Sequence, residues 1–461
     1  MTENTRLNSQ RELFEKFSAK TRDRLYSLFD ENTFVETDAF KTEDISLPSD
    51  GLICGYGTIF GKLTFAYAQD VSVLGGSFGK IHGEKIKSLY KKACRLGTPI
   101  IGILDSKGVR LNEGIAGFTK LGEIYNEMAK ASGVIPQITL VCGNAMGSLS
   151  LLPAMSDFCF SLKNSNIFMT SPAAKGKEKE KPESLSFVDK TFDKEEDMFG
   201  FARILVNVLP SCNAEDNTSF VTSGALYNAE LNENQYETSD IIKIISDNND
   251  FIKTFEAEDV LLGFSRFGGQ LGAIVGFTGK DASSLALNKI ADFVSFADAF
   301  RIPVVAFSNL SGYSKLDTES EIIKAAAKVT QVFSNATVPK INIITEKFMG
   351  SPLLSINSKN TEADLVYVWS NSQIGLMSAD ASVNVMSAEE FKNADNLEEM
   401  KEAKLNEYKK AKLDSFEFAR LGLADDVIEP AETKSAIVSA LRLLYKKSER
   451  MPYKKHSSKF M

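Results

Sequence analysis

The chain has 461 residues, 43% of them hydrophobic, with a formal net charge of -8 and a pI near 5.3. A chain of that length and hydrophobic share supports two cores, in domains of about 200 residues each. Its acidic balance, without basic clustering, excludes a nucleic-acid surface.

The opening "MTENTRLNSQRELFEKFSAKTRDRLYSLFDENTF" has charges throughout and no apolar h-region, which excludes a signal peptide. No apolar run reaches ~18 residues, so no membrane insertion is expected, and the expectation is a cytoplasmic protein. Within the opening, Leu13, Phe14, Phe17, Leu25 and Leu28 fall at helical spacing, and Asp30, Glu31 and Asn32 end the pattern. From Gly51 strands and helices alternate. "LTFAYAQD" reads as a strand, and "GEKIKSLYKKACRLG" as a helix carrying Ile86, Leu89, Tyr90 and Ala93 on one face and stopping at Gly97. "TPIIGILDS" reads as a buried strand and "GFTKLGEIYNEMAKASG" as a helix. "IPQITLVCGNAMGSLSLLPAM" reads as a strand, a Gly-containing turn and a helix. This alternation predicts an α/β domain with crossover connections. The charged stretch 175–199, "KGKEKEKPESLSFVDKTFDKEEDMF", predicts a solvated loop.

The same order then recurs. Pro99 and Pro303 are 204 residues apart, Pro136 and Pro339 are 203 apart, and Gly147 and Gly350 are 203 apart. Three landmarks at nearly one offset predict two copies of one domain, here 1–220 and 221–461. The boundary is expected in the polar stretch "NAELNENQYETSDIIKIISDNND" or just before it, near "LPSCNAEDNTSFVTSG".

The side-chain inventory narrows the chemistry. His82 and His456 are the only histidines, which disfavours a Ser-His-Asp hydrolase or a multi-His metal centre, and no metal is expected. The five cysteines are scattered in apolar segments without CxxC spacing and read as reduced thiols. "LGGSFGKIHG" falls one residue short of a phosphate-binding P-loop, and "GLICGYGTIFG" misses dinucleotide spacing. What remains is backbone chemistry. Each "MGS" turn, Gly147 with Ser148 and Gly350 with Ser351, leaves a run of β-branched residues and presents N–H groups where glycine admits close approach. Two such groups form an oxyanion hole that stabilises a thioester enolate. The alternative is that each glycine only permits a tight turn, and the residues alone leave both readings open.

The sequence resembles the biotin-dependent acyl-CoA carboxyltransferase family nearly end to end. "LFDENTFVETDAF", "VSVLGGSFGKIHGEKI", "DSKGVRLNEG", "ASGVIPQITLVCGNAMGSLSLLPAMSDF", "FARILVNVLPSCNAED", "FADAFRIPVVAF", "NATVPKINIITEKFMGS" and the C-terminal "DDVIEPAETKSAIVSALRLLYKKSERMPYKKH" are similar to family segments in order. The resemblance implies two tandem crotonase-like domains of the ββα superhelix type, and active sites formed across a homodimer, often within a hexamer. It implies transfer of a carboxyl group between biotin and a short-chain acyl-CoA through an enolate, with the cofactor moving the α-proton. The first hole, Gly147 and Ser148 beside Met146, would hold the thioester oxygen. The second, Gly350, Ser351 and Pro352 with Leu353 and Leu354, would face biotin. Gly75, Gly76 and Ser77, together with Lys107, Gly108 and Val109, would lie along the acyl-CoA channel, and Asn309 and Gly312 along the second site. No M-K-M-type biotinylation motif or ATP-binding domain is present, so biotin on a separate carrier protein, and a biotin carboxylase or another carboxyltransferase subunit, are implied partners.

The sequence departs from the family pattern at these sites. Pro352 stands where an alanine N–H would donate, Asn309 and Ser311 replace Asp and Pro, and Lys107 and Val109 replace smaller residues. These departures carry an alternative: a catalytically weakened paralogue that serves as a structural or regulatory subunit.

Overall fold

The computed structural model describes residues 8, 11–12, 18–43, 49–170, 185–216, 220–221, 225–233, 235–392, 396–449, 452 and 454. Leu13, Phe14, Phe17, His456 and 175–184 therefore lie outside the described residues. The chain forms two compact units, Met1–Asp216 and Asn217–Met461.

In the first unit, helix α1 (Ala19–Leu28) buries Leu25 and Leu28 completely. The strands are β1 (Val35–Thr37), β2 (Leu52–Ile59), β3 (Lys62–Gln69), β4 (Ile100–Ser106), β5 (Gln137–Met146), β6 (Phe158–Leu162), β7 (Asn166–Phe168) and β8 (Lys190–Phe192). They form one sheet in the order β1-β2-β3-β4-β5-β6-β8, with β7 added beside β5. The β1–β2 and β2–β3 pairs are antiparallel and the rest parallel. Parallel neighbours need crossovers. Helix α2 (Lys80–Leu96) supplies the first and α3 (Gly114–Ala131) the second. Ile86, Leu89, Tyr90 and Ala93 of α2 are buried as their spacing predicts, and Gly97 caps the helix at φ 62° in the left-handed region.

The second unit repeats this plan. It contains α5 (Thr238–Ile245), β9 (Phe251–Glu256), β10 (Val260–Phe267), β11 (Gln270–Phe277), α6 (Ser284–Ala299), β12 (Val304–Leu310), α7 (Glu319–Asn335), β13 (Lys340–Met349), β14 (Leu365–Trp369), β15 (Gln373–Gly375), β16 (Asp426–Ile428) and α8 (Thr433–Leu443); α4 is Glu195–Val208 of the first unit. The sheet order β9-β10-β11-β12-β13-β14-β16, with β15 beside β13, is the first order written again. The α/β expectation and the duplication both hold.

Two sequence expectations change. The charged stretch is not a loop throughout: Lys190–Phe192 is strand β8, and α4 begins at Glu195 with three acidic residues in its first turn. Of the two stretches offered for the boundary, the later one contains α5, whose Ile242 and Ile245 are fully buried in the second core, and the division after Asp216 falls in the earlier one, 209–224. A buried stripe of three isoleucines outweighs the surrounding polar composition.

Both units carry the same irregularity before the glycine turn. Along β4 and β5, Leu104 pairs with Val141 but Ser106 with Ala145, and along β12 and β13, Ser308 pairs with Ile344 but Leu310 with Phe348. The extra residues bulge out and re-aim the strand end. The side chain opposite each bulge holds it. Asp105 Oδ1 accepts from the Asn144 N–H at 3.4 Å, and Asn309 Oδ1 accepts from the Lys347 N–H at 3.4 Å.

Candidate active site

Past its bulge, β5 ends at Met146, and Gly147 turns the chain at φ 62° into a helical turn, Gly147–Ser150, continued by Leu151–Ala154. The helix expected here is this short because Met155 closes it with N–H bonds to Leu151 and Leu152. Nothing lies within 4 Å of where a Cβ on Gly147 would stand. The glycine is required by its backbone conformation, and it leaves open space in front of the turn. The Tyr125 hydroxyl donates to the Ser148 carbonyl at 2.5 Å and the Ser150 hydroxyl to the Gly147 carbonyl at 2.8 Å. Those carbonyls are thereby fixed. Among the described residues, no turn or loop carbonyl accepts from the Gly147 or Ser148 N–H.

A cavity of about 520 Å³ opens in front of this turn, and Lys107, Gly108, Val109, Met146, Gly147 and Ser148 all line it. The resemblance placed these six in one site, and the fold brings them together. Sequence reasoning missed the apolar wall formed by Leu111, Ile115 and Phe118, which are 93%, 78% and 48% exposed. Their spacing of four and three residues was a readable signal for one helical face. Lys107 and Arg110 are the ionisable residues among those lining the cavity.

Gly75, Gly76 and Ser77 do not line it; they brace the 107–110 segment. The Lys107 N–H donates to the Gly75 carbonyl at 3.2 Å, and the Phe78 N–H to the Gly108 carbonyl at 2.8 Å. Gly76, at φ 66°, lies so close to Asp105 that a Cβ would sit 2.4 Å from its carbonyl oxygen. Arg110 locks the segment from inside the protein. Its guanidinium donates to Asp50 Oδ1 at 2.8 Å, to the Asp50 carbonyl at 2.6 Å and to Glu113 Oε1 at 2.9 Å. Burial works against this charge, but the Asp50 and Glu113 contacts raise the guanidinium pKa overall. The P-loop likeness of "GGSFGK" ends here. The Glu113 carboxylate accepts from the Lys80 N–H at 2.5 Å and occupies the start of α2, where a phosphate would have to bind.

The second turn has the same outline and different donors. Gly350 turns the chain at φ 70°, but its N–H donates to the Gly375 carbonyl at 3.0 Å. Pro352, buried, takes the first position of a single helical turn, Pro352–Ser355, where a missing N–H costs nothing to the helix. Ser351 is exposed between them, and its N–H is the donor this turn has left after Gly350 and Pro352. Leu353 is half-buried and Leu354 60% exposed. Gly312 repeats the role of Gly108, its carbonyl accepting from the Ala282 N–H at 3.0 Å. Tyr313 and Ser355 are joined through their hydroxyls, which tie that loop to the turn. Asn309 is elsewhere. It lines a separate cavity of the second unit, and its carboxamide is used on the Lys347 N–H and, at 3.0 Å, on Glu346 Oε2.

His82 does not take part in either site. It is fully buried against Phe78, with Nε2 at 3.4 Å from Gln69 Nε2, and burial pushes its pKa well below the ordinary 6.5.

Comparison with known proteins accounts for this arrangement. The family model described as "Carboxyl transferase domain" matches residues 16–180 and 186–458. The methylmalonyl-CoA decarboxylase subunit alpha of Veillonella parvula is 36% identical over 95% of this chain and 92% of its own. The methylmalonyl-CoA carboxyltransferase 12S subunit of Propionibacterium freudenreichii subsp. shermanii is 32% identical over 95% of this chain and 90% of its own. A crystal structure of a transcarboxylase 12S hexamer, with methylmalonyl-coenzyme A and methylmalonic acid bound, matches with a TM-score of 0.89 and 29% identity over 99% of this chain and 97% of that one. The two sheets of this chain are those of tandem crotonase-like domains, and with the family model spanning both units, the chain belongs to the carboxyl transferase family.

Proposed function

We propose that the chain is the carboxyltransferase subunit of a biotin-dependent enzyme and moves a carboxyl group between biotin and a short-chain acyl-CoA. The observation that carries this reading is the convergence of the Gly147 turn and the 107–109 segment on one cavity. The N–H groups of Gly147 and Ser148 hold the thioester oxygen as it gains enolate charge, each donor being worth about 2.7–4 kcal/mol in such a site. Lys107 adds positive charge at the rim, while Leu111, Ile115 and Phe118 keep water from the acyl group. Bound biotin, delivered by a separate carrier protein, supplies the carboxyl group and the base. No histidine or carboxylate of this chain lines the first cavity among the described residues, so the proton does not pass through one there. On the biotin side the Ser351 N–H is the turn's donor. Lys107, Gly108 and Val109 contact the acyl-CoA, and Gly312, Leu353 and Leu354 frame the biotin side. Methylmalonyl-CoA is the first substrate to try, since it gives its name to the relatives above.

Incubation of the purified chain with biotin and methylmalonyl-CoA or malonyl-CoA tests the reading, with decarboxylation expected. Absence of decarboxylation across a panel of acyl-CoA thioesters, with co-purification of a second carboxyltransferase chain, would instead favour a structural subunit. The engaged Gly350 N–H and Pro352 are the observations that keep this second reading in play.

A further inference from the structure

The second unit contains a cavity of about 690 Å³, at the carboxyl ends of its strands and apart from the Gly350 turn. Residues that end or follow four strands line it: Thr278 after β11, Asn309 in β12, Trp369 of β14 and Glu429 after β16, with Thr345 and Glu346 at the bulge of β13. Ile241 of α5 closes one side. This is the end of a parallel sheet at which α/β folds place ligands, and the volume is that of a small-molecule pocket, typically ~300–1,000 Å³.

The internal repeat shows what the same place holds in the first unit. Strand register aligns Ile100 with Val304 and hence Asp105 with Asn309, and Phe65 with Ala273 and hence Asp70 with Thr278. The fully buried pairs Leu25 and Leu28 of α1 and Ile242 and Ile245 of α5 align Arg24 with Ile241. In the first unit Arg24, 4% exposed, occupies the position. Its guanidinium lies 3.2 Å from Asp105 Oδ2 and 2.6 Å from Glu195 Oε1, the latter carboxylate following β8 as Glu429 follows β16. In the second unit Ile241 cannot reach across, and Glu346 stands at the bulge position that Gly143 holds in the first. Three carboxylates, Glu237, Glu346 and Glu429, line the cavity, and no lysine or arginine does among its described lining residues. Glu346 Oε1 has the exposed Lys347 ammonium at 3.8 Å outside the lining, and the Glu429 carboxylate accepts from the Glu432 N–H, which leaves each with acceptor capacity for a ligand. Trp369 adds an aromatic surface suited to a planar cation.

The geometry points to a binding site for a small guanidinium compound in this cavity, the ligand taking the place that Arg24 fills in the first unit. Glu346 and Glu429 pair with the guanidinium, and Thr278, Thr345 and the Asn309 side chain are among the neutral polar groups around it. The site is distinct from the carboxyl transfer site, and its test does not depend on activity.

Trp369 is the only tryptophan of the chain, and it is 7% exposed with its indole N–H donated to Thr433 Oγ1 at 2.9 Å. Tryptophan fluorescence of the full chain therefore reads the cavity directly. Agmatine is the probe, with putrescine and potassium chloride at matched ionic strength as controls. A saturable change with agmatine is expected, weakened about tenfold in Glu346→Gln, the loss typical of one charge-assisted hydrogen bond, and abolished in Ile241→Arg, whose own guanidinium fills the place. Because Ile241→Arg buries a charge, a Glu346→Gln, Glu429→Gln double variant provides a second test and should lose the response as well. No saturable response in the unmodified chain, an equal response to putrescine or salt, or an undiminished response in the double variant would overturn the assignment.

Discussion

Pro352 and Leu149 occupy matching places in the two glycine turns. A proline at the start of the Pro352–Ser355 turn is well placed for helix geometry, with φ preset and an N–H that the helix would not use. The family resemblance puts an N–H donor at this position, whereas the match to Leu149, which is not one of the first turn's two donors, does not, and the Pro352 substitution decides between them. Pro352→Ala is expected to raise biotin-dependent decarboxylation severalfold while lowering stability by about 0.4–1 kcal/mol through the more flexible unfolded chain. Steady-state kinetics beside urea unfolding measures both, and unchanged turnover would mean the donors lie elsewhere. His82 bears on pH rather than on catalysis. Burial, then the charges of Arg110 and Lys85, keeps it neutral in the folded chain far below the ordinary 6.5, and its Nδ1 has no hydrogen-bond partner among the described residues. The unfolded chain takes up that proton near pH 6.5, so it binds more protons than the folded chain below that value. Stability contributed by neutral His82 is therefore present above about pH 6.5 and falls below it by up to about 1.4 kcal/mol per pH unit. His82→Gln should flatten the stability curve between about pH 6.5 and 5, read from urea midpoints, and an unchanged slope would contradict the buried neutral imidazole.

The paired bulges of β5 and β13 show one element built with two kinds of support. Asp105 anchors the first bulge as a carboxylate shared with Arg24, and Asn309 anchors the second as an amide shared with Glu346. Sequence comparison with the family found the Asn309 departure, but neither its task nor its link to Ile241 was readable. That link depends on a contact between residues 81 apart in the first unit, Arg24 and Asp105, and on its loss in the second. The glycine turns and α2 were readable because their signals are local: a C-terminal Gly97, an apolar stripe, a Gly at a strand end. Strand β8 was not, because its three residues Lys190, Thr191 and Phe192 belong to a sheet only through pairing with β6. The two supports predict a cost of different origin when each is exchanged for the other. Asp105→Asn leaves buried Arg24 with Glu195 alone and should cost about 3 kcal/mol, near the lower end for breaking a buried pair. Asn309→Asp sets a second carboxylate against Glu346, whose recorded cation is the exposed Lys347 at 3.8 Å, and should also destabilise, by an amount that shrinks as pH falls and the new carboxyl is protonated. Thermal unfolding of Asp105→Asn at neutral pH and of Asn309→Asp across pH measures the two effects, and a parent-like Tm in Asp105→Asn would mean that the Arg24 pair is not what holds the first bulge.

For the molecule as a whole, the unexplained feature of the first unit is the apolar face beside its cavity. Leu111 and Ile115 are almost bare and lie with Phe118 along one cavity wall, and a contiguous exposed apolar patch of this kind marks an interface. The related transcarboxylase 12S is a hexamer, and this chain is proposed to assemble likewise, with another copy covering Leu111, Ile115 and Phe118 and closing the cavity over the acyl group. Closure matters to the proposed chemistry, in which the Gly147 and Ser148 N–H groups act as donors that gain strength when water is excluded. Ile115→Glu places a charge in the middle of that face without touching the core, since the side chain is 78% exposed. The variant is expected to retain the far-ultraviolet circular dichroism of the parent, to elute as a smaller species in size-exclusion chromatography with light scattering, and to lose carboxyl transfer by about 10²-fold or more, the scale of one lost oxyanion donor. Assembly and activity should fall together as protein concentration is lowered. If the variant stays assembled and fully active, the apolar wall serves the substrate alone, and the cavity is complete within one chain.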